Sequence, residues 1–347
     1  MQRRVRPLRH SGRAALCAFV AVLAAGGCTT PPPRPVAEPA AQPERGPVIA
    51  HDDELSIVIA AAGENASALA QRYLGDASKG WWIMETNGGS EIRPGQVVVI
   101  PLKVRNPIGV YADGYQTIPI LCYHRFGAKA TKLTVTPAAF AAQMQFLAKN
   151  GYHVVPLARV DEFLSGRTPL PRKSVVITID DGYRSTFEIA WPILKQHGFP
   201  ATLFLYSDFV GAGDALNWAQ MKEMTASGLV DVQPHSKTHA NLTLRLADET
   251  EARYRERVRR EVDTPIGLIK ERLSLPSTSF AYPYGDVNEV VVDLLARQGT
   301  QLGVTVTPGG NGFFAYPYML RRNMVFGNED LDAFKAKLNI FVRTAGR

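Results

Sequence analysis

Eight residues, Val175-Val176-Ile177-Thr178-Ile179-Asp180-Asp181-Gly182, limit what this chain can fold into more than any other stretch. Five β-branched residues in a row read as a short strand buried on both faces of a parallel sheet. Two carboxylates fall where that strand ends, and Gly182 permits a tight turn there. In α/β barrels the C-terminal strand ends carry the chemistry. The plain alternative is a turn with a helix cap, so the rest of the chain has to decide.

It does so with His235-Ser236-Lys237-Thr238-His239, directly after the short strand Val230-Asp231-Val232. Two imidazoles four residues apart can reach one side of a turn, and imidazole is a common zinc ligand. The chain has only seven histidines, so a close pair is informative. A third ligand is needed, and Asp180 and Asp181 are the candidates. Two histidines, one carboxylate and a water leave the open position that a catalytic site requires. The other carboxylate is then free to act as a base.

Around these motifs strands alternate with helices. Residues 118–124, 201–206, 230–232, 280–282, 302–306 and 322–325 read as strands, and 137–150, 160–164, 218–228, 288–298 and 330–341 as helices. That order predicts an α/β fold with a parallel sheet, open or closed into a barrel. Thr136 can cap a helix with Pro137 at its first position, and Pro192 is expected to bend the helix that ends at Gly198. The charged segment 246–273, with Pro265 inside it, reads as a solvated outer face.

Taken together, these motifs resemble the polysaccharide deacetylases of carbohydrate esterase family four, the NodB-homology domain. Thr178-Ile179-Asp180-Asp181-Gly182 is similar to its T-F-D-D-G motif, His235 to His239 fits H-[ST]-x-x-H, and Pro283-Tyr284-Gly285 fits P-Y-G. The resemblance runs over residues 117–347 and implies a distorted (β/α) barrel of about seven strands. It implies Asp180 as general base, and Asp181, His235 and His239 as ligands of one divalent metal ion, usually zinc. It implies the backbone N–H of Tyr284 as an oxyanion donor, and release of acetate from a GlcNAc-containing polysaccharide.

Two departures from the family pattern stand out. Phe280-Ala281-Tyr282-Pro283 has alanine where the family has an arginine that pairs with the base, and Arg322 is the expected replacement. The usual C-terminal Leu-x-His that supplies the acid is absent, since no histidine follows His239. Tyr123-His124 instead resembles members that deacetylate poly-β-1,6-N-acetylglucosamine, in which an N-terminal histidine serves, so His124 is the expected acid. Peptidoglycan as substrate, or a glycan-binding lipoprotein without turnover, are the alternatives.

The N-terminal part has a different character. Residues 1–27 carry Arg3, Arg4, Arg6, Arg9 and Arg13, then a short apolar run and Gly26-Gly27-Cys28, which reads as a secretory signal. Leu23 to Cys28 resembles the bacterial lipoprotein processing site, which implies a lipid anchor on Cys28 and a place at a bacterial membrane, on the periplasmic or cell-envelope side. Without those five arginines the 39 basic residues fall to 34 against 32 acidic, so the +7 formal charge drops to +2 and gives no argument for nucleic acid. With Cys17 and Cys28 spent, Cys122 is left alone and no intramolecular disulfide is possible. Residues 28–50 are rich in Pro and Ala and read as an extended tether. Residues 51–103 read as strand, helix, helix, strand. Asn87, Ile92, Pro94-Gly95-Gln96 and Ile100-Pro101 resemble the LysM module, which implies binding of GlcNAc-containing glycans.

Overall fold

A computed structural model describes residues 45–104 and 106–344. The expected signal peptide, the Cys28 anchor and most of the tether lie outside the described residues. Among those described, no helix is long and apolar enough to cross a membrane.

The first element is not extended tether but strand β1, Val48–His51, which pairs antiparallel with β2, Leu55–Ile59. Helices α1, Ala66–Leu74, and α2, Gly80–Thr86, follow, and β3, Val97–Pro101, returns antiparallel to β2. Asn65 caps α1 by accepting from the Ala68 N–H. Val58, Leu69, Ile83, Val98 and Ile100 are fully buried between the helices and the sheet. The side chain of Asn87 ties α2 to β3, donating to the carbonyls of Ile83 and Val99, both at 2.7 Å, and accepting from the Val99 N–H at 2.9 Å. This unit meets the rest of the chain where the Arg172 N–H donates to the Glu85 carboxylate at 2.7 Å. Trp81 and Trp82, both half-buried, line a cavity of about 630 Å³ there, with His153 and Arg159 on its far wall.

The larger part is built on seven short strands. They are β4 (Ile118–Tyr123), β5 (Ser174–Asp181), β6 (Ala201–Leu205), β7 (Val230–Pro234), β8 (Ser279–Ala281), β9 (Leu302–Val304) and β10 (Asn323–Met324). Five of them pair in parallel in the order β10-β4-β5-β6-β7. Every residue of β4 and β5 is buried, as the unbroken apolar runs require. Burying each Val or Ile of this kind contributes roughly 1.5–3 kcal/mol. Helices α3 (Pro137–Lys149), α4 (Ala158–Leu164), α5 (Trp191–His197), α6 (Trp218–Ala226), α7 (Glu251–Leu273), α8 (Glu289–Arg297) and α9 (Leu331–Ala336) complete the α/β fold.

The ring expected of a barrel is interrupted. β8 and β9 pair only with each other. Between β7 and β8 the Gln233 side chain stands in for a ladder, its Oε1 accepting the N–H groups of Thr278 and Ser279 at 2.9 and 3.0 Å. On the other side a single parallel bridge, Val304 to Leu320, links β9 to the segment before β10.

Two local expectations also change. The final helix stops at Ala336, because Phe341–Arg343 pairs antiparallel with Gly114–Gln116. A π-helical turn over Thr186–Ala190 precedes α5, so Pro192, which lacks an N–H, falls in the first turn of an α-helix rather than in mid-helix. Pro265 lies inside α7, which nonetheless runs unbroken over all its 23 residues.

Candidate active site

Strand register brings the motifs to one level. Asp180 and Asp181 pair with Phe204 and Leu205, Leu205 pairs with Pro234, and the His235 N–H donates to the Leu205 carbonyl at 2.7 Å. On the other side Ile179 pairs with Tyr123, so His124 comes level with Asp180. Side chains alternate along a strand, and strict alternation would point adjacent Asp180 and Asp181 to opposite faces. Asp181 escapes it by adopting φ 75°. Both carboxylates therefore face His235, whose Nε2 lies 3.9 Å from Asp180 Oδ2 and 3.8 Å from Asp181 Oδ1.

Among the described residues six non-glycines have φ in the left-handed region, and four of them, Asp181, Ser236, His239 and Tyr284, surround this point. Such conformations cost of order 1–3 kcal/mol each and persist where the surroundings enforce them. The surroundings are visible. The His239 N–H donates to Ser236 Oγ at 2.9 Å. Buried Glu261 of α7 accepts from the N–H groups of Lys237 and Thr238 at 3.1 and 2.9 Å, and from Thr238 Oγ1 at 2.9 Å. Beyond Tyr284, Gly285 has φ 79°, and a Cβ there would come within 2.7 Å of the Val306 backbone nitrogen. The Tyr284 ring is 61% exposed and packs edge-on to His239, with ring centroids 4.9 Å apart.

Asp180 is held by a buried fork. Arg322 Nη1 donates to its Oδ1 and Nη2 to its Oδ2, both at 2.7 Å. Arg322 is fully buried immediately before β10. Its Nε donates to the Thr305 carbonyl at 2.8 Å, and its Nη1 also to Thr178 Oγ1 at 3.1 Å. Burial would raise the Asp180 carboxyl, but Arg322, helped by His235, outweighs it and holds the group well below the usual carboxylate range. Cys122 Sγ approaches Asp180 Oδ2 at 3.5 Å, and half-exposed His124 shares that corner.

Asp181 has no such partner. Burial pushes its carboxyl up to about 6, while burial pushes His235 down to about 4 and lowers His239 as well. Two buried donors and one half-buried donor thus disfavour their usual charges and offer lone pairs to a common point. His235 Nδ1 donates to the Ala281 carbonyl at 2.7 Å, which leaves the lone pair of Nε2 open toward the other two residues. His239 Nε2 lies 3.5 Å from Asp181 Oδ1, and one donor atom from each of the three residues falls within 4.8 Å of the others. A carboxylate and two neutral imidazoles, buried without a compensating cation, fit a divalent metal ion.

The sequence placed Asp180, Asp181, His235, His239, His124, Tyr284 and Arg322 as site residues, and the fold brings all seven to this end of the strands. It did not single out Glu261. The signal was present: Tyr254, Val258, Glu261, Val262, Pro265 and Ile269 recur at helical spacing and form the buried stripe of α7. A carboxylate in such a stripe needs a partner.

Comparison with known proteins finds polysaccharide deacetylases. The polysaccharide deacetylase family model matches residues 167–303. The Bacillus subtilis (strain 168) protein YxkH, which carries a polysaccharide deacetylase name, is 29% identical over 219 residues, covering 63% of this chain and 75% of that protein. The poly-β-1,6-N-acetyl-D-glucosamine N-deacetylase of Escherichia coli (strain K12) is 29% identical over 211 residues, 51% of this chain but only 31% of the relative. Among solved structures, IcaB from Ammonifex degensii superposes with a TM-score of 0.57 at 27% identity, covering 66% of this chain and 97% of that one. The Streptococcus pyogenes deacetylase PplD, solved with acetate, gives 0.58 at 25% identity over 65% and 99%.

Proposed function

We propose that this chain, which carries a polysaccharide deacetylase domain of the NodB-homology type, hydrolyses N-acetyl groups of a poly-β-1,6-N-acetylglucosamine-like polymer and releases acetate. The observation that carries the reading is the pairing of one buried carboxylate kept ionised, Asp180, with a second, Asp181, set among two neutral imidazoles. Two like residues in unlike environments divide the work of base and ligand.

Asp181, His235 and His239 would hold the divalent ion, zinc in our reading. When bound, it supplies Lewis-acid polarisation of the acetamide carbonyl and a more acidic water. Asp180 accepts the proton of the attacking water, and Arg322 fixes the direction in which its carboxylate points. The backbone N–H of Tyr284, in its left-handed turn, donates to the developing oxyanion. His124 gives a proton to the leaving amine, without which the C–N bond does not break. The exo-polymer is favoured over peptidoglycan because the strand-end His124 is present where no C-terminal histidine follows His239.

The remaining parts fit delivery to such a polymer. The 45–104 unit is read as LysM-like, with Trp81 and Trp82 available to sugar faces. The N-terminal signature supports export and lipidation at Cys28, at a bacterial membrane on the periplasmic or cell-envelope side. The test is acetate release from poly-β-1,6-GlcNAc, chitin oligomers and peptidoglycan, by the native enzyme and by Asp180→Asn. Retained metal with turnover lowered by roughly 10²-fold or more is expected of the variant. Near-normal turnover would remove Asp180 as the base, and no release from any glycan by the native enzyme would sink the enzymatic reading.

A further inference from the structure

Strand geometry assembles a second set of donor atoms beside the first. Cys122 pairs in register with Thr178, and side chains two apart share a face, so Cys122 and His124 of the β4 end point toward Thr178 and Asp180. Cys122 Sγ lies 3.5 Å from Asp180 Oδ2. One thiol sulfur, one imidazole nitrogen and one carboxylate oxygen, from Cys122, His124 and Asp180, fall within 4.8 Å of each other. None of the three belongs to the Asp181, His235 and His239 set. Thiolate and imidazole together select soft or borderline cations.

We propose that Cys122, His124 and Asp180 form a second, weaker and inhibitory site for a thiophilic divalent cation such as excess zinc or cadmium. The weakness follows from charge. Arg322 already donates to both oxygens of Asp180, and a cation on Asp181, His235 and His239 adds further positive charge next door. Like charges at such short range in a buried site raise the cost of a second ion. Affinity therefore rests on the sulfur and the imidazole, with Asp180 lending the lone pair not taken by Arg322. On binding, the Cys122 S–H bond is replaced by a sulfur–metal bond and the proton leaves to solvent. His124, half-exposed, is the side from which the ion enters.

The consequence is complete loss of turnover, because one ion would occupy both the base and the acid. That consequence rests on the deacetylase reading, but the coordination does not, and the two are read separately. The full chain, loaded with one equivalent of zinc, is titrated with cadmium while its ultraviolet thiolate–metal charge-transfer band and its acetate release are followed. A second equivalent should produce the band and abolish turnover together. Cys122→Ser should lose the Cys122 share of the band. It should also need at least tenfold more cadmium for half-inhibition, relative to its own maximal rate. His124→Gln, read by binding alone, should keep the band but weaken second-site affinity by about tenfold. Equal bands in the native chain and Cys122→Ser would overturn the site. So would an unchanged second-site affinity in His124→Gln, which would mark a lone thiol. A normal band with undiminished turnover would overturn the inhibition alone.

Discussion

Arg322 reaches across 142 residues of chain to grip both oxygens of Asp180, and neither side chain is open to solvent. An arginine fork matches a carboxylate in plane and direction, which a lysine cannot do. Arg322→Ala leaves a buried carboxylate unpaired and should cost about 3–5 kcal/mol of stability. Arg322→Lys keeps the charge but frees the carboxylate to rotate. It should stay folded by thermal unfolding while kcat falls by roughly tenfold or more. It should also shift the acidic limb of the pH–rate profile to higher pH, since the fork is what holds Asp180 low. An unmoved limb would show that Arg322 does not control the base.

The apo-protein should take up its metal with a pH dependence set by Asp181. Its carboxyl titrates at about 6, above its ordinary value of about 4. The folded apo-protein therefore binds a proton between those values that the unfolded chain does not. That proton stabilises it at low pH, and the stabilisation is lost as pH rises through 6. A cation must displace the same proton below pH 6, whereas burial holds His235 down at about 4 and lowers His239 as well. Calorimetry in buffers of different ionisation heat should find at least about one proton released at pH 5 and close to none at pH 7.5. Equal release at both would mean that Asp181 is not the titrating ligand.

Glu261 is a positioning residue. It holds the turn between His235 and His239 from outside, by three hydrogen bonds to Lys237 and Thr238. Glu261→Ala should weaken metal affinity by about 10–100-fold, with kcat largely restored when metal is in excess. Glu261→Asp, too short to reach all three donors, should fall between. A kcat deficit that excess metal leaves untouched would place its role elsewhere.

His124→Ala should lower kcat by roughly 10²–10⁴-fold with the first metal equivalent still bound. It should also remove the alkaline limb of the pH–rate profile, because the proton that limb reports has gone. A variant that keeps its rate and its alkaline limb would exclude His124 as the acid.

The legible part of this protein was local. The β-branched run ending in Asp180-Asp181 announces a buried strand, and the alternation of strands and helices announces an α/β fold. What stayed hidden depends on tertiary neighbours. Adjacent aspartates on a strand should diverge, and only the left-handed backbone at Asp181 turns them to one side. Glu261 looked like one more charge on a charged helix until its stripe was seen to be buried. Gln233 could not be told from any polar strand residue, because its partners, Thr278 and Ser279, lie some forty-five positions away. The closing segment read as a long helix because nothing local reveals the pairing of Phe341–Arg343 with Gly114–Gln116.

The break between β7 and β8 has a mechanical meaning. That seam is stitched by two side chains, one in β7 and one just past its end. Gln233 grips Thr278 and Ser279, and His235 grips the carbonyl of Ala281. From β10 round to β7 the wall is knitted by backbone ladders, whereas side chains carry this join. His235 belongs to the seam and to the proposed cation site at once, so the fastening of the wall also sets the orientation of its ring. Loading the site should act as a clasp, and slower amide exchange at Thr278 and Ser279 in the holo-protein is its measure.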